Sequence, residues 1–261
     1  MTWVLLRGLT REARHWGTFP QQLAEAAQVP SADQILALDL PGNGAFCREA
    51  SPRSVRSMVD FARQQLLARG LKPPYSLLAM SLGGMVATDW ARQYPHEACR
   101  LVLINTSMRP FSRVTERLRP DNWLRLALLA ARWQSTGSAD DVERVIHQLT
   151  CKQIISRDED LAAWVRIRQD APVSAANACR QLWAAAGFSS AAVPHCPVLV
   201  LSSARDQLVH PRCSARLARA WQAEHHEHPW AGHDLPHDDA AWVCQRVAGW
   251  LGGVSGQSHL N

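Results

Sequence analysis

The sequence predicts an α/β fold, in which a mostly parallel β-sheet carries helices on both faces and a helical insertion interrupts the chain. Two observations predict the sheet: short, continuously apolar runs bounded by turn residues, and helix-length amphipathic stretches between them. A third observation predicts the insertion, because residues 109–188 show helical periodicity alone. Strand followed by helix, repeated along a chain, favours right-handed crossovers and therefore a parallel sheet.

Five apolar runs are the predicted strands. Such runs lack polar alternation because both faces of a parallel sheet are covered by helices. The predicted strands are residues 3–6, 35–38, 75–78, 101–104 and 198–201. The amphipathic stretches that predict helices are residues 54–69, 83–94, 213–223 and 240–251.

The strand and helix alternation stops after Thr106 and resumes near Cys196. Between them the helical periodicity breaks at Pro120, at residues 135–138 and at Pro172. A chain of 261 residues that is 47% hydrophobic suits one domain with one substantial core. We therefore expect a core formed by residues 1–108 and 189–261, and a helical cap formed by residues 109–188.

Composition excludes several classes of protein. The net charge of +5 comes from 28 basic and 23 acidic residues spread along the chain, whereas a nucleic-acid-binding protein concentrates its basic residues on one face. The beginning of the chain lacks a signal-peptide pattern, and no window is apolar enough to span a membrane. The seven cysteines form no CxxC pair, which argues against a disulfide framework or a zinc site. We expect a cytoplasmic protein without cofactor or metal.

The strongest motif is the segment Ala79-Met80-Ser81-Leu82-Gly83-Gly84, between a predicted strand and a predicted helix. A serine on such a turn adopts a strained backbone conformation, which requires small residues two positions before and after it. Ala79 and Gly83 meet this requirement. The backbone N–H of Leu82, at the helix N-terminus, can stabilise a developing negative charge. Ser81 is therefore the candidate nucleophile.

A serine nucleophile needs a base, and the base needs an acid that fixes its tautomer. The loop after the last predicted strand carries Asp206, and the segment Trp230-Ala231-Gly232-His233-Asp234-Leu235-Pro236 carries His233. In chains with this kind of turn, the serine comes first in the sequence, the acid second and the histidine third. Asp206 and His233 become the candidate acid and base through the family resemblance of the segments that carry them.

These three segments resemble the nucleophile elbow, acid loop and histidine loop of the α/β-hydrolase superfamily, and the likeness covers nearly the whole chain. It is closest to small bacterial esterases of the pimeloyl-carrier-protein methyl ester esterase type. The resemblance implies the α/β-hydrolase fold and cleavage of a carboxylic ester through an acyl-serine intermediate. It also implies a second oxyanion donor, the backbone N–H of Leu9, in a loop where Arg7 replaces the histidine of many relatives.

By the same resemblance, the cap decides which acyl group is accepted. We expect Trp123, Trp133 and Trp183 to contact a small-molecule ester substrate. The first part of the cap is rich in arginine, which predicts either a docking site for an acidic acyl carrier protein or a solvated helical face. The six arginines are Arg109, Arg113, Arg117, Arg119, Arg125 and Arg132.

Other residues compete for these roles. His237 is the main alternative to His233, and Asp238 and Asp239 are interpreted as capping or solvated residues at the start of the last helix. A dense histidine group suggests metal binding, but strand alternation places only two of its members on one face without a third ligand. This group consists of His225, His226 and His228.

The triad pattern leaves the reaction open. Thioester hydrolysis, acyl transfer and carbon–carbon bond hydrolysis all use the same three residue types in this superfamily. A protein of another class, a non-catalytic receptor that keeps the pocket, typically lacks one of them. Dehalogenases and epoxide hydrolases carry an aspartate at the nucleophile position, where this chain has Ser81.

Overall fold

The computed structural model describes residues 1–31, 34–133 and 139–257. Its centre is a six-stranded sheet in the order β2-β1-β3-β4-β5-β6, and every pairing is parallel. The strands are β1 Thr2–Leu6, β2 Ile35–Leu38, β3 Tyr75–Met80, β4 Ala98–Ile104, β5 Val198–Ser203 and β6 Glu224–His228. The first five confirm the strands that the apolar runs predict.

Eleven α-helices lie in the described part of the chain, and four of them match the predicted amphipathic stretches. They are α1 Phe19–Ala26, α2 Val55–Ala68, α3 Leu82–Gln93, α4 Val114–Arg117, α5 Trp123–Arg132, α6 Ala139–Thr150, α7 Arg157–Asp170, α8 Ala175–Gly187, α9 Arg212–Trp221, α10 Leu235–Asp238 and α11 Ala240–Gln257. None of the helices that the structure describes is both long and apolar enough to cross a bilayer.

Alternating side chains of the strands form two apolar cores, one on each face of the sheet. In β1, Val4 and Leu6 face the core covered by α2, α3 and α9, whereas Trp3 and Leu5 face the core covered by α1 and α11. Each fully buried leucine of this kind contributes about 1.5–3 kcal/mol. The sheet therefore has helices on both faces, as the fold class requires.

Strand β6 was not among the predicted strands. Its sequence, Glu-His-His-Glu-His, is entirely polar, and it pairs with β5 alone at the edge of the sheet. Only His228 is buried in it. An edge strand with one partly solvated face needs no continuous apolar run, so its hydropathy pattern gives no signal.

Helices α4 to α8 lie between β4 and β5 and have a small apolar cluster of their own around Trp164 and Ile146. The chain enters and leaves this segment at one place, because Arg109 and Ser189 form a parallel bridge. The predicted breaks fall at a 3₁₀ turn, Pro120–Asn122, and between α7 and α8. The break at 135–138 lies outside the described residues. The division into a core and a cap of residues 109–188 stays a prediction.

Candidate active site

Ser81 lies between β3 and α3 with φ 53° and ψ −120°, a left-handed conformation that a residue with a side chain seldom adopts. Its backbone is fixed by neighbours on both sides. The Ser81 N–H donates to the carbonyl of Ile104 at 3.0 Å, and the Thr106 hydroxyl donates to the Ser81 carbonyl at 2.8 Å. The strain is therefore held by the adjacent strand β4 and the residues that follow it.

Close backbone contact explains the small residues around this turn. A Cβ atom on Gly83 would lie 2.4 Å from the carbonyl oxygen of Leu6, and one on Gly8 would lie 3.0 Å from Cβ of Ser81. Ala79 is fully buried between neighbouring strands. The end of β1 and the start of α3 thus touch through their main chains, which leaves no room for a side chain at position 83.

Asp206 and His233 are brought together by two loops. Asp206 follows β5, and its Oδ2 lies 2.7 Å from Nδ1 of His233. The other carboxylate oxygen accepts hydrogen bonds from the backbone N–H groups of Leu208 and Val209 at 2.8 and 2.9 Å. Both side chains are buried. The acceptor on Nδ1 places the ring proton there and leaves the lone pair on Nε2.

The electrostatic balance at His233 favours a basic ring. Burial lowers the pKa of His233, but the charge of the Asp206 carboxylate and its hydrogen bond outweigh burial, so the pKa is raised above its ordinary value. Asp234 adds to this effect, and the Arg7 guanidinium opposes it. A histidine in this state is suited to accept a proton near neutral pH.

Asn105 connects the three loops and was missed by the sequence reasoning. It follows β4 with φ 45°, and its side-chain amide donates to the His233 carbonyl at 2.8 Å and to the Ser203 hydroxyl at 2.9 Å. The Ser203 N–H donates in return to the amide oxygen of Asn105 at 2.9 Å. Its only sequence signal is an asparagine directly after a predicted strand, since asparagine tolerates a positive φ better than most residues.

Ser81 and His233 line one cavity of about 560 Å³ at the carboxyl ends of the strands. Its wall is mainly apolar, formed by side chains such as Met85, Leu129 and Leu149. Between Ser81 and His233, both described, the structure has no direct hydrogen bond, so a proton transfer between them would require the two side chains to approach each other.

Leu9 and Leu82, the predicted oxyanion donors, also line this cavity beside Ser81. Leu82 is the first residue of α3, so its N–H has no acceptor within the helix. The loop that carries Leu9 is held from the insertion, because the Thr10 N–H donates to the side-chain oxygen of Gln181 at 2.8 Å.

Gln181 belongs to α8 and is 1% exposed. Its amide nitrogen donates to the Asn43 side chain and to the Ser51 hydroxyl, each at 3.0 Å. The three hydrogen bonds made by the two polar atoms of its amide group thus fix the side chain against the core. Gln181 is a positioning residue for the loop of Leu9, and no local sequence pattern distinguished it.

Arg7 takes a structural role in the loop where many relatives have histidine. Its guanidinium binds both carboxylate oxygens of Asp234, one of them at 3.0 Å, and both side chains are buried. Burial raises the pKa of Asp234, but the charge and hydrogen bonds of Arg7 outweigh burial and keep it below its ordinary value. This pair ties the first loop of the chain to the loop of His233.

The competing residues have other partners. His237 Nε2 pairs with Asp160 at 3.2 Å. Asp239 caps α11 by accepting from the Trp242 N–H at 2.9 Å. The expectation for Asp238 was wrong: it is buried, and it accepts from backbone N–H groups in two loops. Its donors are the N–H groups of Lys152, Gln153 and Gly232.

The three histidines of β6 do not converge. His225 pairs with the Ser202 hydroxyl at 2.8 Å, His226 with Glu224 at 2.7 Å and His228 with Asp239 at 3.2 Å. Among the described residues, the donor atoms of these three rings do not come together as a group that could hold one metal ion.

The three tryptophans predicted to contact substrate lie in different surroundings. Trp133 lines the cavity, and its indole N–H donates to the Val173 carbonyl at 2.7 Å. Trp123 is 47% exposed and Trp183 is 70% exposed, and neither lies in the cavity wall. In the described conformation only Trp133 is within reach of a bound molecule.

The chain matches a family of known proteins over most of its length. Residues 3–246 match the family model described as "Alpha/beta hydrolase family". A pimeloyl-[acyl-carrier protein] methyl ester esterase of Chromobacterium violaceum is 35% identical over 95 residues, which are 36% of this chain and 35% of that protein. The chain thus aligns with about a third of the length of this curated relative.

Two solved structures are similar over almost the whole fold. A thermophilic esterase from Thermogutta terrifontis has a TM-score of 0.73 at 23% identity, with 97% of this chain and 90% of that chain covered. An enol-lactonase from Burkholderia xenovorans LB400 has a TM-score of 0.74 at 18% identity, with 96% and 91% covered. At this level of identity the likeness establishes the fold.

Proposed function

Because this chain belongs to the alpha/beta hydrolase family, we propose that it is a serine hydrolase that cleaves a carboxylic ester through an acyl-serine intermediate. Ser81 is the nucleophile, His233 the general base and Asp206 the acid that orients the base. The observation that carries the proposal is the buried 2.7 Å contact between His233 and Asp206, in a cavity that Ser81 also lines.

In the first half of the reaction, Nε2 of His233 accepts the hydroxyl proton of Ser81 while Oγ bonds to the ester carbonyl carbon. The charge that develops on the carbonyl oxygen is stabilised by the backbone N–H groups of Leu9 and Leu82. His233 then returns the proton to the departing alkoxide, which leaves as an alcohol and gives the acyl-serine.

In the second half, water attacks the acyl-serine while His233 accepts one of its protons. Collapse of this second tetrahedral intermediate expels Oγ of Ser81, which regains its proton from His233, and a carboxylic acid is released. Asp206 stays ionised throughout and stabilises the imidazolium that forms in both halves.

The cavity wall favours an apolar acyl group. Hydrophobic side chains from the core and from α5, α6 and α8 surround Ser81, so the insertion would act as the cap that selects the substrate. The enol-lactonase neighbour makes a cyclic ester a second candidate, since its opening uses the same steps. Thioester hydrolysis, acyl transfer and carbon–carbon bond hydrolysis stay alternatives for the same three residues.

A carrier-protein partner has less support. Arg109, Arg117 and Arg119 use their guanidinium groups to bind backbone carbonyls of this chain, Arg119 that of Asp206. Arg113 and Arg125 are exposed, and the side chain of Arg132 lies outside the described residues. Docking of an acidic acyl carrier protein at these arginines stays a prediction, based on their number and on the resemblance to carrier-protein esterases, one of which is among the matched relatives.

The proposal is tested by Ser81→Ala. Turnover of a short p-nitrophenyl ester should fall by about 10⁴-fold or more while the circular dichroism spectrum stays unchanged, because the variant loses the nucleophile but no packing. A fluorophosphonate probe should label the wild type and not this variant, which also separates an enzyme from a non-catalytic receptor.

The matched control is Ser190→Ala, which removes a buried hydroxyl outside the cavity wall. It should keep both labelling and turnover. A Ser81→Ala variant that retains most of its activity, or labelling that survives the substitution, would exclude the serine-hydrolase mechanism.

A further inference from the structure

A second cluster of chemically reactive side chains lies behind the loop that carries His233. His147, Cys151 and His237 each offer a donor atom, and these atoms all lie within 4.8 Å of one another. His147 belongs to α6, Cys151 follows α6 directly, and His237 belongs to α10. The proposed ester hydrolysis uses none of them.

His147 and Cys151 are arranged by one turn of helix. The Cys151 N–H donates to the His147 carbonyl at 2.8 Å, so helical hydrogen bonding continues one residue beyond α6. Residues four apart in a helix lie one above the other on the same face. This is the spacing with which helices present paired zinc ligands.

The side chain of His147 is buried, so its ring nitrogens need hydrogen-bond partners or an ion. Its side chain is 3% exposed, and Nε2 has no hydrogen-bond partner in the part of the chain that the structure describes. Buried polar atoms in folded proteins are almost always paired. An ion coordinated by this ring, beside a thiol and a second imidazole, would supply the missing interaction.

His237 already has the environment of a metal ligand. Its Nε2 lies 3.2 Å from Oδ2 of Asp160, so in the neutral ring the proton stays on Nε2 and the lone pair on Nδ1. A carboxylate that orients a ligating histidine in this way is a common second contact around metals. Trp164 covers both rings, with centroid distances of 5.3 Å to His147 and 5.1 Å to His237.

We propose that His147, Cys151 and His237 bind one Zn²⁺ ion, with water in the fourth position. Thiolate sulfur and imidazole nitrogen are donors that zinc prefers, whereas calcium and magnesium require oxygen. In a tetrahedral zinc site the donors lie about 3.3–3.8 Å apart, so side-chain rotation has to bring the farthest pair closer by roughly 1 Å. The thiol proton of Cys151 is released to solvent on binding.

The ion would join the insertion to the core beside the candidate base. Residue Thr150, between the two helical ligands, accepts a hydrogen bond through its carbonyl from the Asp234 N–H at 2.8 Å. Asp234 directly follows His233, and His237 lies in α10, which begins at the next residue. Zinc at this place would fix the end of α6 against the loop of His233 and raise the melting temperature.

The test uses the full chain, freed of metal by a chelator and titrated with Co²⁺ and then Zn²⁺. We expect saturation at one Co²⁺ per chain, with the near-ultraviolet charge-transfer band of a cobalt-thiolate bond and the visible bands of tetrahedral cobalt. Zn²⁺ should displace the cobalt stoichiometrically and raise the melting temperature of the wild type.

Cys151→Ser, which keeps the size of the side chain, should abolish the charge-transfer band and weaken Zn²⁺ binding at least a hundredfold. His147→Gln should weaken binding similarly. Cys179→Ser, which removes an exposed thiol elsewhere, should bind like the wild type. Absence of a saturable one-to-one thiolate band in the wild type, or a band that persists in Cys151→Ser, would overturn the proposal.

Discussion

The turn that carries Ser81 and the helical segment between β4 and β5 are held in place by different kinds of contact. Around the turn, main chain touches main chain, as where Gly83 lies against the Leu6 carbonyl. The helical segment is joined to the core by buried polar side chains. Glu143, for example, binds Arg11 of the first loop at 2.7 Å and Arg168 of α7 at 2.6 Å.

The two kinds of contact tolerate substitution differently. A backbone contact at a glycine leaves no room for a side chain. Only glycine is therefore tolerated at such a position of the turn. A polar pair depends on two residues far apart in sequence, and either can be replaced if its partner changes as well.

Gly83→Val should abolish folding. Its Cβ would meet the carbonyl oxygens of Leu6 and Arg7 at 2.4 and 2.6 Å, and neither strand nor helix can shift without breaking the sheet. We expect a loss of more than about 5 kcal/mol, comparable to the whole stability of a domain. Urea unfolding followed by fluorescence measures it.

Gly249→Val is the matched control, because this glycine is also helical but a Cβ there meets nothing within 4 Å. Its unfolding free energy should change by less than about 1 kcal/mol. Equal losses at the two positions would show that close backbone contact is not what fixes the turn.

Glu143→Ala should cost about 3–5 kcal/mol, because it leaves two largely buried guanidinium groups, those of Arg11 and Arg168, without their carboxylate. On the same helix, Arg144→Ala removes an exposed ion pair with Asp140 and should cost less than about 1 kcal/mol. Chemical denaturation measures the free energy of unfolding of both variants. Similar small losses in the two would contradict a stabilising role for the buried ion pairs of Glu143.

The pH dependence of kcat/KM should depend on charged residues of the core and not on those of the insertion. His233 must be neutral to accept a proton, and its pKa is raised, so kcat/KM should fall as pH drops through a midpoint above about 6.5. Activity then decreases roughly tenfold per pH unit, or about a hundredfold over two units. The charges that set this pKa belong to Asp206, Asp234 and Arg7, all in core loops.

Arg144→Ala in the insertion should therefore leave the midpoint unchanged. The profile is measured with an ester that does not ionise in this range. A plateau of kcat/KM that extends below pH 6 would contradict the assigned base.

Gln181→Leu should have the smallest effect, about tenfold in kcat with little change in KM. The Thr10 N–H loses its acceptor, so the neighbouring Leu9 donor is less well placed for the transition state, whereas full loss of such a donor costs about 10²–10³. Gln65→Leu, at another buried glutamine, should lower stability without changing kcat. An unchanged kcat in Gln181→Leu would assign Gln181 to stability alone.

Features that depend on neighbouring residues could be predicted from the sequence, whereas contacts between distant residues could not. The apolar runs predict five strands because burial on both faces leaves a local signature, and the Ser81 turn is predicted because strain demands small residues nearby. Strand β6 leaves no such signature, since its polar side chains suit the sheet edge. The segments that carry Asp206 and His233 were identified by their resemblance, and the structure places these two side chains in contact.

The contacts that position the site could not be predicted, because they join residues distant in sequence. Asn105 belongs to no predicted motif, Asp238 resembles a helix cap in sequence, and Arg7 is a departure from the family. Each proves to bind backbone or side chains from another loop. A single sequence carries no signal for such pairs, and the choice among the tryptophans failed to separate Trp133 from Trp183 for the same reason.

The Arg7 and Asp234 pair has a consequence for synthesis on the ribosome. The two residues are separated by 227 positions, so the guanidinium emerges long before its carboxylate. A buried arginine without a partner is strongly unfavourable. During translation Arg7 therefore cannot reach its final buried pairing until Asp234 has left the ribosome, so we expect the loop after β1 to close only when nearly the whole chain has been made.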